Sequence, residues 1–112
     1  MSMVFTAEAP PFREDAKGGL RVGESRVLVE LVLRAFQDGA TPEAIAQRYP
    51  TTTLTDIYGV IAYYLRHRPE MEAYLRTRER QAQDTRERIE AQQRDTTELR
   101  NRLLARQQAV AV

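Results

Sequence analysis

The chain lacks several residue types on which enzymes and secreted domains depend. It has no cysteine, which excludes a disulfide framework and thiolate chemistry. Its single histidine, His67, has no second ligand nearby in the sequence, so no metal site is expected. No Gly-rich phosphate loop and no cluster of polar residues that could converge in a pocket is present. We therefore expect a protein that is not an enzyme and needs no cofactor.

Long apolar runs are also missing. No stretch approaches the roughly 20 apolar residues that a membrane-spanning helix requires. The first residues do not combine a basic segment with an apolar one, as a signal peptide does. The expectation is a cytoplasmic protein without membrane contact.

Glycine and proline are absent from residues 70–108, where Arg, Gln, Glu and Ala dominate and helix propensity is high. Positive charge is concentrated in the same region. Residues 66–112 hold eleven basic residues, all arginine, and eight acidic ones, whereas residues 1–65 hold six and eight. Arginine binds phosphate and carboxylate alike, so the bias suits nucleic acid or an acidic protein. A solvated helix with internal ion pairs is the alternative.

Apolar residues in this segment are sparse and follow a weak heptad. The repeat runs through Leu75, Ala82, Ile89, Thr96 and Leu103, with Met71 and Leu99 in companion positions. A stripe with so few apolar residues does not stabilise a long isolated helix. We expect the segment to become ordered against a partner or to fray after about residue 80.

Residues 39–67 have the pattern of two helices joined by a tight turn. The first helix is predicted over 42–48, between a Thr-Pro start and a Tyr-Pro end. The second is predicted over 54–67, with Thr53 as its cap. Gly59 costs about 1 kcal/mol relative to alanine in mid-helix, which predicts close approach of another backbone, from the first helix or a second subunit. The pattern fits a helix-turn-helix and an ordinary packed helix pair equally well.

The region before this pair predicts a β-hairpin over residues 12–22, a short third segment at 26–27 and a helix over 28–38. The predicted interior is Leu31, Val32, Phe36, Ile45, Tyr49, Leu54, Ile57, Val60, Ile61 and Leu65. The fold class is therefore mainly α: a small three-helix helix-turn-helix domain with an N-terminal β-hairpin and a long C-terminal helix. Its parts are an arm (1–11), the domain (12–75) and a helical, partly flexible extension (76–112).

Four motifs in residues 20–75 resemble a known bacterial family. They are Arg21-Val22-Gly23-x-Ser25-Arg26-Val27, Gly39-Ala40-Thr41-Pro42-Glu43-x-Ile45, Tyr49-Pro50 followed by Leu54-x-Asp56-Ile57-Tyr58, and Ala62-Tyr63-Tyr64-Leu65. In this order and spacing they are similar to the family called domain of unknown function 433. Ser25 stands where the family usually has threonine, which keeps the hydroxyl. The extension beyond residue 80 is not part of the family pattern.

The resemblance implies a hairpin-bearing or winged helix-turn-helix. It also implies the antitoxin of a toxin–antitoxin pair, whose toxin is a PIN-like nuclease. Such antitoxins typically bind their operator as dimers and block the toxin with a C-terminal segment. The small core and the exposed Tyr58 and Tyr63 also favour a homodimer, although two half-exposed tyrosines are equally ordinary on a protein surface.

If the second helix of the pair reads DNA, its N-terminal residues and the hairpin turn supply the contacts. The candidates are Arg21, Arg26, Thr51, Thr52, Thr55 and Tyr58. The helix has no basic residue before Arg66, and Asp56 repels phosphate unless it is engaged in capping. A structural role for the two arginines, paired with Glu24 or Glu30, is the alternative.

For partner binding the candidates lie in the extension. They are the apolar anchors Ile89, Leu99 and Leu103 and the charged Arg86, Arg94 and Arg102. An arginine-rich helix with such anchors fits a groove that is lined with carboxylates. Three hypotheses follow: an antitoxin-like DNA-binding regulator, a protein–protein adaptor that does not bind DNA, and a structural homodimer whose long helices pair.

Overall fold

The computed structural model describes residues 2–110 of the chain. The elements, in order, are β1 (Phe12–Glu14), β2 (Leu20–Val22), α1 (Val29–Gln37), α2 (Pro42–Arg48), α3 (Leu54–Arg66) and α4 (Arg68–Val110). This confirms the predicted fold class, mainly α with an N-terminal hairpin and a long C-terminal helix. None of the described helices combines the length and the apolarity that crossing a membrane requires.

The hairpin is a two-stranded antiparallel sheet in which Phe12 pairs with Val22. Its turn is held by Asp15, whose Oδ1 accepts hydrogen bonds from two main-chain N–H groups at 2.9 Å. Gly18 adopts a φ of 81°, which a residue with a Cβ rarely does. The short third segment predicted at 26–27 is not a strand, because pairing there is limited to one bridge between Arg21 and Leu28.

Local signals set the ends of the helices. At the end of α1 the N–H groups of Gly39 and Ala40 donate to the carbonyls of Phe36 and Ala35, the arrangement of a Schellman motif. Gly39 has the positive φ, 96°, that this motif needs. The hydroxyl oxygens of Thr41 and Thr53 cap α2 and α3, as the sequence predicts.

The core forms where α1, α2, α3 and β2 meet. Its buried apolar residues are Val22, Val29, Val32, Leu33, Ala35, Ile45, Ile57, Val60, Ile61, Tyr64 and Met71. Three predicted interior residues were assigned wrongly, since Leu31 and Leu54 are 42% exposed and Leu65 is 51% exposed. In α1 the buried stripe includes Val29 and Leu33, so it is rotated away from Leu31. In α3 the core takes only one side of a broad apolar arc.

The first two turns of α4 pack on this core. Met71 is buried, and the Tyr74 hydroxyl donates to Glu30 Oε1 at 2.7 Å and accepts from the Leu20 N–H at 2.8 Å. Tyr74 therefore connects α4 to α1 and to the hairpin. By their internal contacts the residues divide into two units, one through Leu75 and one from Arg76 onward.

Candidate functional site

The guanidinium group of Arg21 forms an ion pair and a hydrogen bond in and beside the hairpin. Its Nε lies 3.0 Å from Asp15 Oδ2, and its Nη1 donates to the carbonyl oxygen of Arg26. Hydrogen bonds from the backbone of Gly19 and Lys17, together with the Arg21 guanidinium, hold the pKa of the Asp15 carboxyl below its ordinary value. Arg21 thus serves the hairpin, and its ion-pair partner here is an aspartate of the first turn.

Two threonines in the turn before α3 form hydrogen bonds from their side chains to the main chain. Thr52 Oγ1 donates at 2.6 Å to a main-chain carbonyl three residues earlier. Thr53 Oγ1 accepts at 3.1 Å from the N–H of Asp56. Thr51 and Thr55 are exposed. Of the threonines predicted to contact DNA, these two are accessible at the surface, while Thr52 stabilises the turn.

Tyr58 connects α3 to α2. Its hydroxyl donates a hydrogen bond to Glu43 Oε1, which lies in the first turn of α2. This hydrogen bond lowers the pKa of the Glu43 carboxyl and raises the pKa of the Tyr58 hydroxyl, because it favours the charged carboxylate and the neutral phenol. The Tyr58 ring remains 47% exposed. A partner can therefore contact the ring, while the hydroxyl already has an acceptor.

The surface of α3 offers little positive charge. Between Arg48 and Arg66 the chain has no basic residue. Asp56 lies in the first turn of α3, and its carboxylate faces the hairpin: a Cβ built on Gly23 would lie 2.3 Å from Asp56 Oδ2. Phosphate binding depends on Arg and Lys, so among the DNA candidates the exposed Arg26 is the side chain that could supply it.

The predicted partner-binding residues all lie on α4 and are exposed. Ile89 is 49% exposed, Leu99 57% and Leu103 55%. Arg86 donates to the side chain of Gln83 at 2.7 Å, a surface contact that a partner can replace. The unit from Arg76 onward therefore leaves its anchor residues without a packed apolar neighbourhood.

Charge is divided unevenly around this part of α4. The stripe side consists of the heptad positions of the apolar stripe and the positions that flank them. Between residues 76 and 109 it carries six arginines and two acidic residues: Arg78, Arg86, Arg88, Arg100, Arg102, Arg106, Glu79 and Asp95. The outer side, formed by the other three heptad positions, carries three arginines and four acidic residues: Arg76, Arg80, Arg94, Asp84, Glu87, Glu90 and Glu98. The apolar stripe is thus bordered by positive charge.

This division refines the candidate set. Arg86 and Arg102 flank the stripe, whereas Arg94 lies on the outer side. Arg88 and Arg100 flank the stripe as well and were missed, although the heptad spacing could have identified them. Glu43 was missed too, because it lies 15 residues from Tyr58, in another helix. No local pattern connects residues at that separation.

Within residues 2–110, no three His, Cys, Asp or Glu side chains come together as metal ligands. Comparisons with curated proteins and with solved structures give no match. One family model, described as "Protein of unknown function (DUF433)", matches residues 15–64. The matched segment contains β2, α1, α2 and most of α3, and it ends before α4. Residues 15–64, just under half of the chain, are therefore similar to the DUF433 family.

Proposed function

We propose that this protein is an antitoxin-like regulator, which binds operator DNA as a dimer and neutralises a PIN-like nuclease through α4. The observation that carries the proposal is the apolar stripe of α4 bordered by arginines, with the acidic residues concentrated on the outer side. A helix of this kind binds a groove that is apolar at its floor and acidic at its rims. The similarity of residues 15–64 to this family is compatible with the proposed role.

A nuclease active site offers such a rim. It holds divalent cations with carboxylates, because Mg²⁺ and related ions prefer oxygen ligands. Arginine forms paired hydrogen bonds to a carboxylate and stays charged at all physiological pH values. In this proposal Ile89, Leu99 and Leu103 fill the floor of the groove. Arg86 and Arg102 bind the carboxylates and block access of the nucleic-acid substrate to them.

The same charge distribution argues against α4 pairing with its own copy. Consider two parallel α4 helices in register. The residue just after each companion position then lies opposite the residue just before a stripe position on the other helix. With this sequence, Asp95 facing Arg100 is the one opposite-charge pair between residues 79 and 107, while four arginines flank the stripe. The seam itself would contain Arg78 and Arg106. A partner with carboxylates accommodates these residues better than a second α4 does.

The DNA-binding part of the proposal is supported by the order of α2, the turn and α3, and by the exposed side chains of Arg26, Thr51 and Thr55. A gel shift on DNA from upstream of the protein's own gene tests it. We expect a band whose affinity falls steeply as salt rises from 50 to 200 mM, as phosphate contacts require. Arg26→Ala should weaken that band. A shift that is unaffected by salt would contradict operator binding.

For the nuclease, the test is co-purification and inhibition. The protein and the product of the gene adjacent to its own are expressed together and separately. We expect a stoichiometric complex in which the nuclease activity of the neighbour is suppressed. The critical variants reverse two charges at a time: Arg86→Glu with Arg102→Glu on the stripe side, and Arg80→Glu with Arg94→Glu on the outer side as the matched control.

Both double variants change the net charge and the intrinsic helix propensity equally. Each stripe-side reversal should lose about 1 kcal/mol of attraction and add a similar repulsion. Together they should weaken the complex by about 2–4 kcal/mol, roughly 30- to 1,000-fold in Kd. The outer pair should change Kd by less than about threefold. Equal weakening by both pairs would show that the helix acts through its net charge, without a docking face.

A further inference from the structure

Helix α3 carries a second apolar face that the core does not use. Leu54 is 42% exposed, Tyr58 47% and Leu65 51%, and Ala62 is exposed beside them. With Ile61, which lies at the edge of the core and is 5% exposed, they follow a spacing of four, three and four residues. This is the spacing of a seam between two packed helices.

This face of α3, formed by Leu54, Tyr58, Ala62 and Leu65, has no formal charge, although 29% of the chain is charged. Asp56, in the first turn of the helix, directs its carboxylate toward Gly23 of the hairpin. DNA phosphates would require Arg or Lys on the face, and a charged protein would require the opposite charge. Side chains without charge meet an identical copy without repulsion, and the Glu43 carboxylate at the edge of the face is already bound to the Tyr58 hydroxyl.

The N-terminal arm adds apolar surface next to this face. Pro11 lies against α3 at Gly59: a Cβ built on Gly59 would be 2.6 Å from the Pro11 Cγ. Residues 8–10 line one cleft of about 380 Å³ together with Ala62, and the charged side chains of Glu8 and Arg66 border this cleft at the end of α3. Farther along the arm, Met3, Val4 and Phe5 are 78%, 89% and 86% exposed. A stable interface buries about 1,000 Å² or more in total, and the arm lengthens the apolar surface beyond one helix.

We propose that the α3 face binds a second copy of this chain, with α3 packed on its counterpart around a two-fold axis and the arms alongside. In an isologous contact the same patch serves both subunits, so the stripe from Leu54 to Leu65 pairs with itself. The centre of the stripe, near Tyr58 and Ala62, then lies closest to the axis. The small core of the domain gains a second buried surface in this arrangement.

This inference specifies the surface of the dimer in the proposed function, and it does not depend on whether α4 binds a nuclease. It also changes where DNA could bind. A second copy on this face covers the ring of Tyr58, which then does not contact DNA. Contact with phosphate would then be made by the exposed Arg26, in the loop between β2 and α1.

The first test measures the oligomeric state of the full chain by sedimentation equilibrium. Leu54→Glu with Leu65→Glu places charges in the seam, and Leu31→Glu is the matched control because Leu31, on α1, has the same 42% exposure as Leu54. We expect the parent and the control to be dimers, and the double variant to have a dimer Kd raised about 100-fold or more. Near-ultraviolet circular dichroism of the tyrosines verifies that each variant is folded.

A second test does not depend on destabilising variants. The chain has no cysteine, so an introduced cysteine gives the only reactive thiol. Ala62→Cys should be linked between copies by a short bis-maleimide at micromolar concentration, while Ala44→Cys, exposed on α2, should not. A parent that is monomeric at all concentrations, or equal linking at both sites, would overturn the proposal. So would a dimer that survives the α3 variant and is lost in Ile89→Asp with Leu99→Asp, since α4 would then be the interface.

Discussion

Replacing Gly59 with alanine tests how tightly the arm is held against α3. In an exposed helix, alanine is favoured over glycine by about 1 kcal/mol. Here the new Cβ would meet the ring of Pro11, 2.6 Å from Cγ and 3.1 Å from Cδ. A contact below 3 Å requires a displacement, and a proline ring cannot rotate away as a flexible side chain can.

The backbone around Pro11 restricts that displacement. The carbonyl of Pro11 accepts a hydrogen bond from the N–H of Gly23 at 2.7 Å. The next residue, Phe12, pairs with Val22 in the hairpin and packs edge-to-face on Tyr63, with ring centroids 5.1 Å apart. Overpacking of this kind costs about 1–3 kcal/mol. The gain in helix propensity offsets about 1 kcal/mol of this cost. Gly59→Ala should therefore be about 1 kcal/mol less stable than the parent protein.

In the Pro11→Ala background the sign should reverse. Alanine lacks the Cγ and Cδ atoms, so the contact disappears and the gain in helix propensity of about 1 kcal/mol remains. The coupling between the two substitutions is then about 2 kcal/mol. Whatever Pro11→Ala does to the unfolded chain cancels in the double-mutant cycle.

The assay is urea unfolding followed by tyrosine fluorescence. The chain has no tryptophan, and its five tyrosines lie between residues 49 and 74, so the signal reports the unit through Leu75. A change of about 1 kcal/mol moves the midpoint by about 0.5–1 M urea. If Gly59→Ala stabilises the protein equally in both backgrounds, the arm does not pack on α3 in solution and the reasoning is refuted.

Three further predictions concern the core and its hydrogen bonds. Leu33→Ala should lower the free energy of unfolding by about 3 kcal/mol, because Leu33 is fully buried. Leu31→Ala should lower it by less than about 1 kcal/mol, because Leu31 is exposed. Equal effects would refute the assigned face of α1. The Tyr58 hydroxyl lowers the pKa of Glu43, so its stabilising effect is present above the ordinary pKa of the carboxyl and is lost as pH falls through the lowered one. The stability difference between the parent and Tyr58→Phe should therefore shrink in urea titrations as the solution is acidified, and a constant difference would contradict it. Tyr74→Phe removes two hydrogen bonds that join α4, α1 and β2, and should cost about 1–3 kcal/mol in the same assay, with no effect if α4 does not dock there.

The features that the sequence predicts well depend on neighbouring residues. The bounds predicted for α2, 42–48, match the structure, because Thr41 caps the helix, Pro42 starts it and Pro50 ends it. The hairpin turn follows from a similar local cause, since only glycine adopts the φ of 81° at Gly18 without strain. None of these features requires knowledge of what packs against the element.

The features that were missed depend on distant residues. The segment Leu28–Leu33, at the start of α1, has apolar residues at five of its six positions, so helical periodicity allows more than one buried stripe. Packing against α3 and β2 selects the stripe that contains Val29 and Leu33. Gly59 signals a close contact, but the contact is the ring of Pro11, 48 positions earlier, and not a helix or a second subunit as predicted.

The misassigned residues of α3 are informative in their own right. Apolar residues occupy a broad arc of this helix, and the core takes one side of it, through Ile57, Val60 and Tyr64. A helix at the surface of a single domain needs only one apolar stripe. The remainder of the arc, including Leu54 and Leu65, is therefore better explained by a second surface that packs against it than by chance exposure. Sequence periodicity detects the total width of such an arc, and only the packed structure divides it between a core and an interface.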